Sequence, residues 1–95
     1  ASKSGLNALM RHVASRWGRE GVTANCIAPG LVMTPEMIAG GQVPSATLDH
    51  FIARTPATRV GNVDDIAAMA AMLLSADARW INGQVINING GSLMA

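Results

Sequence analysis

The 95-residue chain has no tyrosine, a single phenylalanine (Phe51) and a net charge of only +1. Each shortage removes a class of function. Proteins that hold single-stranded nucleic acid stack bases on aromatic rings above a basic groove, and this sequence supplies neither. Cys26 is the only cysteine, so no intrachain disulfide is available and a reducing, cytoplasmic compartment is expected. No apolar run approaches the roughly 20 residues of a membrane helix, so no membrane partner is expected. His12, Cys26 and His50 lie too far apart to match any local metal-ligand spacing, so no metal site is expected. A G-x-G-x-x-G stretch is also absent.

What remains is apolar. Apolar residues make up 49% of the chain and charged residues 14%, which favours a packed interior over disorder. The length suits one small domain. Leu6, Leu9, Met10, Val13 and Trp17 fall at helical spacing within Ser4–Trp17, predicting a buried stripe on a helix that Gly18 and Gly21 stop. Residues 22–28, "VTANCIA", predict a strand covered on both faces, as in parallel sheets, closed by Pro29 and Gly30.

Residues 35–58 differ in character, with Pro35, Gly40, Gly41, Pro44 and Pro56 around one short predicted helix, Ser45–Arg54. A segment this long between patterned elements reads as a lid or binding loop. Asn62 then caps a helix, with Asp65 three residues on completing a capping box. Ile66, Met69, Ala70, Leu73 and Leu74 predict its buried stripe. Gln84–Ile88 predicts a second strand, ended by Asn89–Gly91. The order helix, strand, lid, helix, strand contains a strand–helix–strand unit, which implies a parallel pair with a right-handed crossover.

Lys3 is out of place as a helix residue, because the first turn of a helix carries partial positive charge. Its setting explains it. "ASK" at 1–3, "GVTANCIAPGLVMTP" at 21–35, "RVGNVDDIAAMAAMLLS" at 59–75 and "INGQVINING" at 81–90 follow in series. Together they resemble the C-terminal part of a short-chain dehydrogenase/reductase, whose signature Tyr-x-Ala-Ser-Lys ends in the motif at 1–3. The resemblance covers essentially the whole chain. It implies the C-terminal portion of a single NAD(P)-binding domain over 1–95, an α/β doubly wound Rossmann-type parallel sheet, with 35–58 as a substrate-binding lid.

The family's tyrosine would fall two residues before Ala1. The resemblance therefore implies a fragment that begins inside the active-site motif and is inactive alone. It implies a complete enzyme that moves a hydride between NAD or NADP and a small carbonyl or secondary alcohol. Lys3 matches the lysine that bonds the nicotinamide ribose and, as a nearby cation, lowers the tyrosine's pKa. Pro29 and Gly30 match the turn behind the nicotinamide, the backbone of Val32 matches the carboxamide partner, and the Thr34 hydroxyl assists. Asn25 is expected to make a structural hydrogen bond. Asn89 stands where the family commonly has aspartate. The resemblance also implies a homodimer or homotetramer. The alternative is a non-catalytic binding or assembly module derived from the same fold. Met33, Met37, Ile38, Leu48, Phe51 and Ile52 suggest an apolar-tolerant pocket and no particular substrate.

Overall fold

Alternating helices and short apolar segments fold into a parallel strand pair with its helical crossover. The computed structural model describes residues 2–41 and 43–94; Ala1 of the Ala-Ser-Lys motif, Gln42 of the 35–58 segment and Ala95 lie outside them. Along the chain run α1 (Ser2–Trp17), a 3₁₀ turn at Gly18–Glu20, β1 (Cys26–Pro29), α2 (Pro35–Ala39) and α3 (Ser45–Arg54). They are followed by α4 (Val63–Leu73), a 3₁₀ turn at Ala76–Ala78 and β2 (Val85–Ile88). β1 and β2 pair in one sheet. The Cys26 N–H donates to Gln84 O at 2.9 Å and the Gly30 N–H to Ile88 O at 2.8 Å. The register is the same at both bonds, so the strands are parallel, and α2 to α4 form the crossover that parallel strands require. No described helix is long and apolar enough to cross a membrane.

The chain forms two compact units, Ala1–Ala28 with Ala68–Ile86, and Pro29–Ala67 with Asn87–Ala95. In the first, Met10, Ala14 and Ala78 are buried. The 3₁₀ turn that follows α1 ends where Gly21 adopts φ +84° and returns its N–H to Gly18 O at 3.1 Å, a left-handed conformation that glycine reaches without a Cβ penalty. The expected stripe on α1 is only partly realised. Leu6, Leu9 and Trp17 are 58%, 59% and 37% exposed, and packing buries α1 only at Met10 and Ala14 among the described residues.

Two asparagines organise this unit. Asn82 Oδ1 accepts from the Ala24 N–H at 2.9 Å, and its Nδ2 donates to Ala14 O at 3.1 Å. Asn25 Oδ1 accepts from the Gln84 N–H at 3.0 Å, and its Nδ2 donates to Ile81 O at 3.1 Å. Asn25 thus makes the structural bonds expected of it. These side chains take the place of ladder bonds, so β1 begins at Cys26 and not at Val22. Its residues are also only half-buried, and Pro29 is the strand's last, exposed residue. A proline is tolerated there because alternate residues of a parallel strand, Cys26 and Gly30 here, address β2.

In the second unit Met33 and Thr55 are buried. Val32 and Gly61 form an isolated parallel bridge. α3 spans the expected residues, whereas α2 is an additional helix within 35–58. Its signal is local: Thr34 Oγ1 accepts from the Met37 N–H at 3.1 Å, with Pro35 in the first turn, where its missing N–H costs nothing. Asn62 Oδ1 accepts from the N–H groups of Asp64 and Asp65, and the Asp65 carboxylate accepts from the Asn62 N–H at 2.8 Å. That is the predicted capping box. The predicted stripe of α4 is half-buried, except that Leu74 lies past the helix end and is 90% exposed.

Replacing Asn82 with alanine leaves the Ala24 N–H and the Ala14 carbonyl without this partner. The expected loss is roughly 1–3 kcal/mol. Asn82→Asp keeps an acceptor but loses the donor, so it should recover only part of that loss. Urea unfolding midpoints of the two variants check the order.

Candidate functional site

Pro29, the last residue of β1, and Gly30, Val32 and Thr34, on the connection that leaves it, all lie in the second unit. Gly30 is required by space and not by its backbone angles. A Cβ built on it would lie 2.6 Å from Asn89 Cβ and 2.9 Å from Asn89 Cα, well inside contact distance. Only glycine lets the turn settle onto β2's end.

The next residues form the bridge to Gly61. The Gly61 N–H donates to Leu31 O at 2.9 Å, and the Met33 N–H donates to Gly61 O at 3.0 Å. Parallel pairing uses the groups on either side of the bridge residue and turns its own pair away. The Val32 N–H and C=O consequently have no backbone partner among the described residues. One donor and one acceptor side by side complement a primary carboxamide, which presents an acceptor oxygen and a donor NH₂. Thr34 caps α2 as an acceptor, which leaves its hydroxyl proton for another acceptor.

Lys3 belongs to the first unit, where it is exposed in the first turn of α1, a turn that contains no acidic residue. The second unit thus brings together four of the five residues singled out from sequence, with Lys3 in the other.

A cavity of about 150 Å³ opens in the second unit, with Val32, Phe51, Arg59, Asp65, Ile88 and Asn89 among its lining. Arg59 grips Asp65 in a fork, Nη1 to Oδ2 at 2.7 Å and Nη2 to Oδ1 at 3.0 Å. The hydrogen bond from Arg59, helped by the Asn62 N–H, lowers the Asp65 carboxyl from 3.8 to about 2, and the same bond raises the Arg59 pKa. Sequence reading assigned Asp65 only to the helix cap and missed Arg59. An arginine shortly before a capping acid, across a glycine, was the available signal. Asn89 Oδ1 accepts from the Gly91 N–H at 3.0 Å, and its Nδ2 donates to Leu93 O at 2.9 Å. An aspartate could make the first bond but not the second.

Residues 1–92 match the family model described as enoyl-(acyl carrier protein) reductase. The chain belongs to the short-chain dehydrogenase/reductase family. It corresponds to the C-terminal part of that family's domain. A short-chain type dehydrogenase/reductase of Bradyrhizobium diazoefficiens is 39% identical over 98% of this chain and 32% of its own. The crystal structure of 3-oxoacyl-[acyl-carrier protein] reductase from Brucella melitensis matches with a TM-score of 0.87 at 32% identity, covering 100% of this chain and 34% of that one. An Agrobacterium tumefaciens protein described as a 2-deoxy-D-gluconate 3-dehydrogenase, solved with NADP bound, matches with a TM-score of 0.83 at 35% identity, covering 97% and 37%. The chain spans about a third of the length of the curated relatives it matches. Its helices and parallel strand pair are a partial Rossmann-type α/β fold, as in those short-chain dehydrogenase/reductase structures.

The Arg59–Asp65 fork predicts a pH dependence. Because the folded-state pKa of Asp65 is depressed, its contribution is fully present above 3.8 and is lost as the pH falls towards about 2. The stability difference between wild type and Asp65→Asn should be largest above 3.8 and shrink across that window. Urea unfolding at a series of pH values checks it. A difference independent of pH would contradict the assignment.

Proposed function

We propose that this chain is the C-terminal part of an oxidoreductase that transfers a hydride between NAD or NADP and a small carbonyl or secondary alcohol. The observation that carries the reading is the N–H and C=O of Val32, which have no backbone partner among the described residues, next to a turn where only Gly30 fits. That arrangement suits the carboxamide end of a nicotinamide, and an NADP-bound relative supports the choice of cofactor. The bound dinucleotide supplies or accepts the hydride.

The residues of this chain divide the remaining work. Pro29 and Gly30 form the wall behind the ring. Val32 and Thr34 orient it through the carboxamide. Lys3 holds the ribose and, as an ammonium beside a tyrosine four residues earlier in the motif, favours the phenolate. That tyrosine exchanges the proton with the substrate oxygen near neutral pH. Residues 35–58, with α2 and α3, form the lid over the substrate, and the 95 residues alone are inactive.

The lone Cys26 supports a reducing, cytoplasmic setting. Leu6, Leu9, Trp80, Leu93 and Met94 are exposed apolar side chains, which supports a homodimer or homotetramer that covers such surfaces.

In the complete enzyme, Lys3→Ala should lower kcat by about 10²-fold or more, the scale of a disabled proton transfer. It should also raise the apparent pKa of the acidic limb in the pH–rate profile. Lys3→Arg keeps the charge but not the compact ammonium, so it should restore turnover only in part. Near wild-type turnover in Lys3→Ala would make Lys3 an ordinary surface lysine.

A further inference from the structure

Three consecutive residues after β2 touch two segments that the proposed function assigns to different ligands. Asn89 abuts Gly30 on the cofactor-side turn. Gly90, at φ +63°, accepts the Ala57 N–H at its carbonyl at 3.0 Å. A Cβ on Gly90 would lie 2.8 Å from Ala57 Cβ and 3.4 Å from Thr55 Cγ2. Gly91, at φ +86°, leaves only 3.1 Å between such an atom and Pro56 Cγ. The two glycines therefore admit the end of the 35–58 segment to direct contact, and both need the left-handed region as well.

The segment they receive is itself held in a defined shape. Thr55 is 3% exposed, and its hydroxyl donates to Phe51 O at 2.8 Å. The Thr58 N–H donates to Thr55 O at 2.8 Å, with Thr58 at φ +58°. A β-branched residue rarely adopts that region, and it persists only where its surroundings over-determine it. On the other side, both Asn89 side-chain bonds stiffen the turn against Gly91 and Leu93.

We propose that Gly90 and Gly91 are positioning residues which couple the cofactor-side turn at Gly30 to the base of the lid at Thr55–Thr58. The inference rests on the oxidoreductase reading above. Filling the turn at Gly30 steadies Asn89, and Asn89 steadies the glycines on which the lid base rests. Cofactor binding thereby orders the lid's anchor before substrate arrives, and the rest of the lid moves about that fixed point.

The test uses the complete protein, with NADPH as the probe and NADH in a parallel titration. Binding is followed by nicotinamide fluorescence, and amide hydrogen exchange is read over residues 55–58. The Ala57 amide reports the bond to Gly90 directly. In wild type, NADPH or NADH should slow exchange there several-fold. Gly90→Ala should still bind the dinucleotide but lose that protection. Adding Ala57→Gly removes the Cβ–Cβ overlap but not the left-handed strain at position 90, so it should bring back part of the protection. Wild type that binds neither dinucleotide would refute the oxidoreductase reading, and this inference with it. Binding without protection at 55–58 in wild type would refute the coupling alone, whether or not Gly90→Ala folds. Protection retained in Gly90→Ala, or lost without recovery in the double variant, would refute it equally.

Discussion

Parallel pairing of β1 with β2 is the constraint on which the rest depends. Parallel strands cannot be joined by a tight turn, so a long stretch of chain must leave one and return to the other. That requirement creates the space in which α2, α3 and α4 lie. It also sends the chain out of β1 at Gly30 and out of β2 at Asn89 from neighbouring positions. In the first unit the pair is set by the reciprocal bonds of Asn25 and Asn82. In the second it is set by the approach of Gly30 to Asn89.

The candidate chemistry follows from backbone geometry more than from side chains. A parallel bridge consumes the carbonyl before and the amide after its central residue, so Val32's own two groups have no backbone partner among the described residues. The side chain at that position could be almost any apolar residue without changing this. Thr34 contributes its hydroxyl in two capacities, as the cap of α2 and as a remaining donor. The Arg59–Asp65 fork is different in kind. It is an exposed pair whose main consequence is the acid response of the helix cap. Isolated exposed ion pairs contribute little to stability.

Features governed by neighbours in sequence were legible from sequence. The capping box at Asn62 and Asp65, the span of α3 and the stop at Gly21 each depend on a few adjacent residues and their intrinsic backbone preferences. So did the order of the elements, and with it the resemblance to short-chain dehydrogenases. α2 was legible in principle, since Thr34-Pro35 is a start signal, but the glycines at 40 and 41 masked it. The site residues Pro29, Gly30, Val32 and Thr34 were picked through family resemblance. Nothing local in the sequence distinguishes Val32 from another apolar residue.

Tertiary structure alone decided the rest. Whether Leu6 and Leu9 are covered depends on which part of α1 meets a neighbour, and helical periodicity carries no such information. β1 starts later than its apolar pattern because Asn82, far away in the chain, supplies the bond that a strand partner would have made. Gly30, Gly90 and Gly91 look alike on paper, yet Gly30 is needed for clearance and the other two for clearance and left-handed backbone together. Sequence by itself determined periodicity, caps and element order, because these are energies of adjacent residues. Burial, register and the freedom of Val32's backbone are set by residues distant in sequence, and only the fold brings those together.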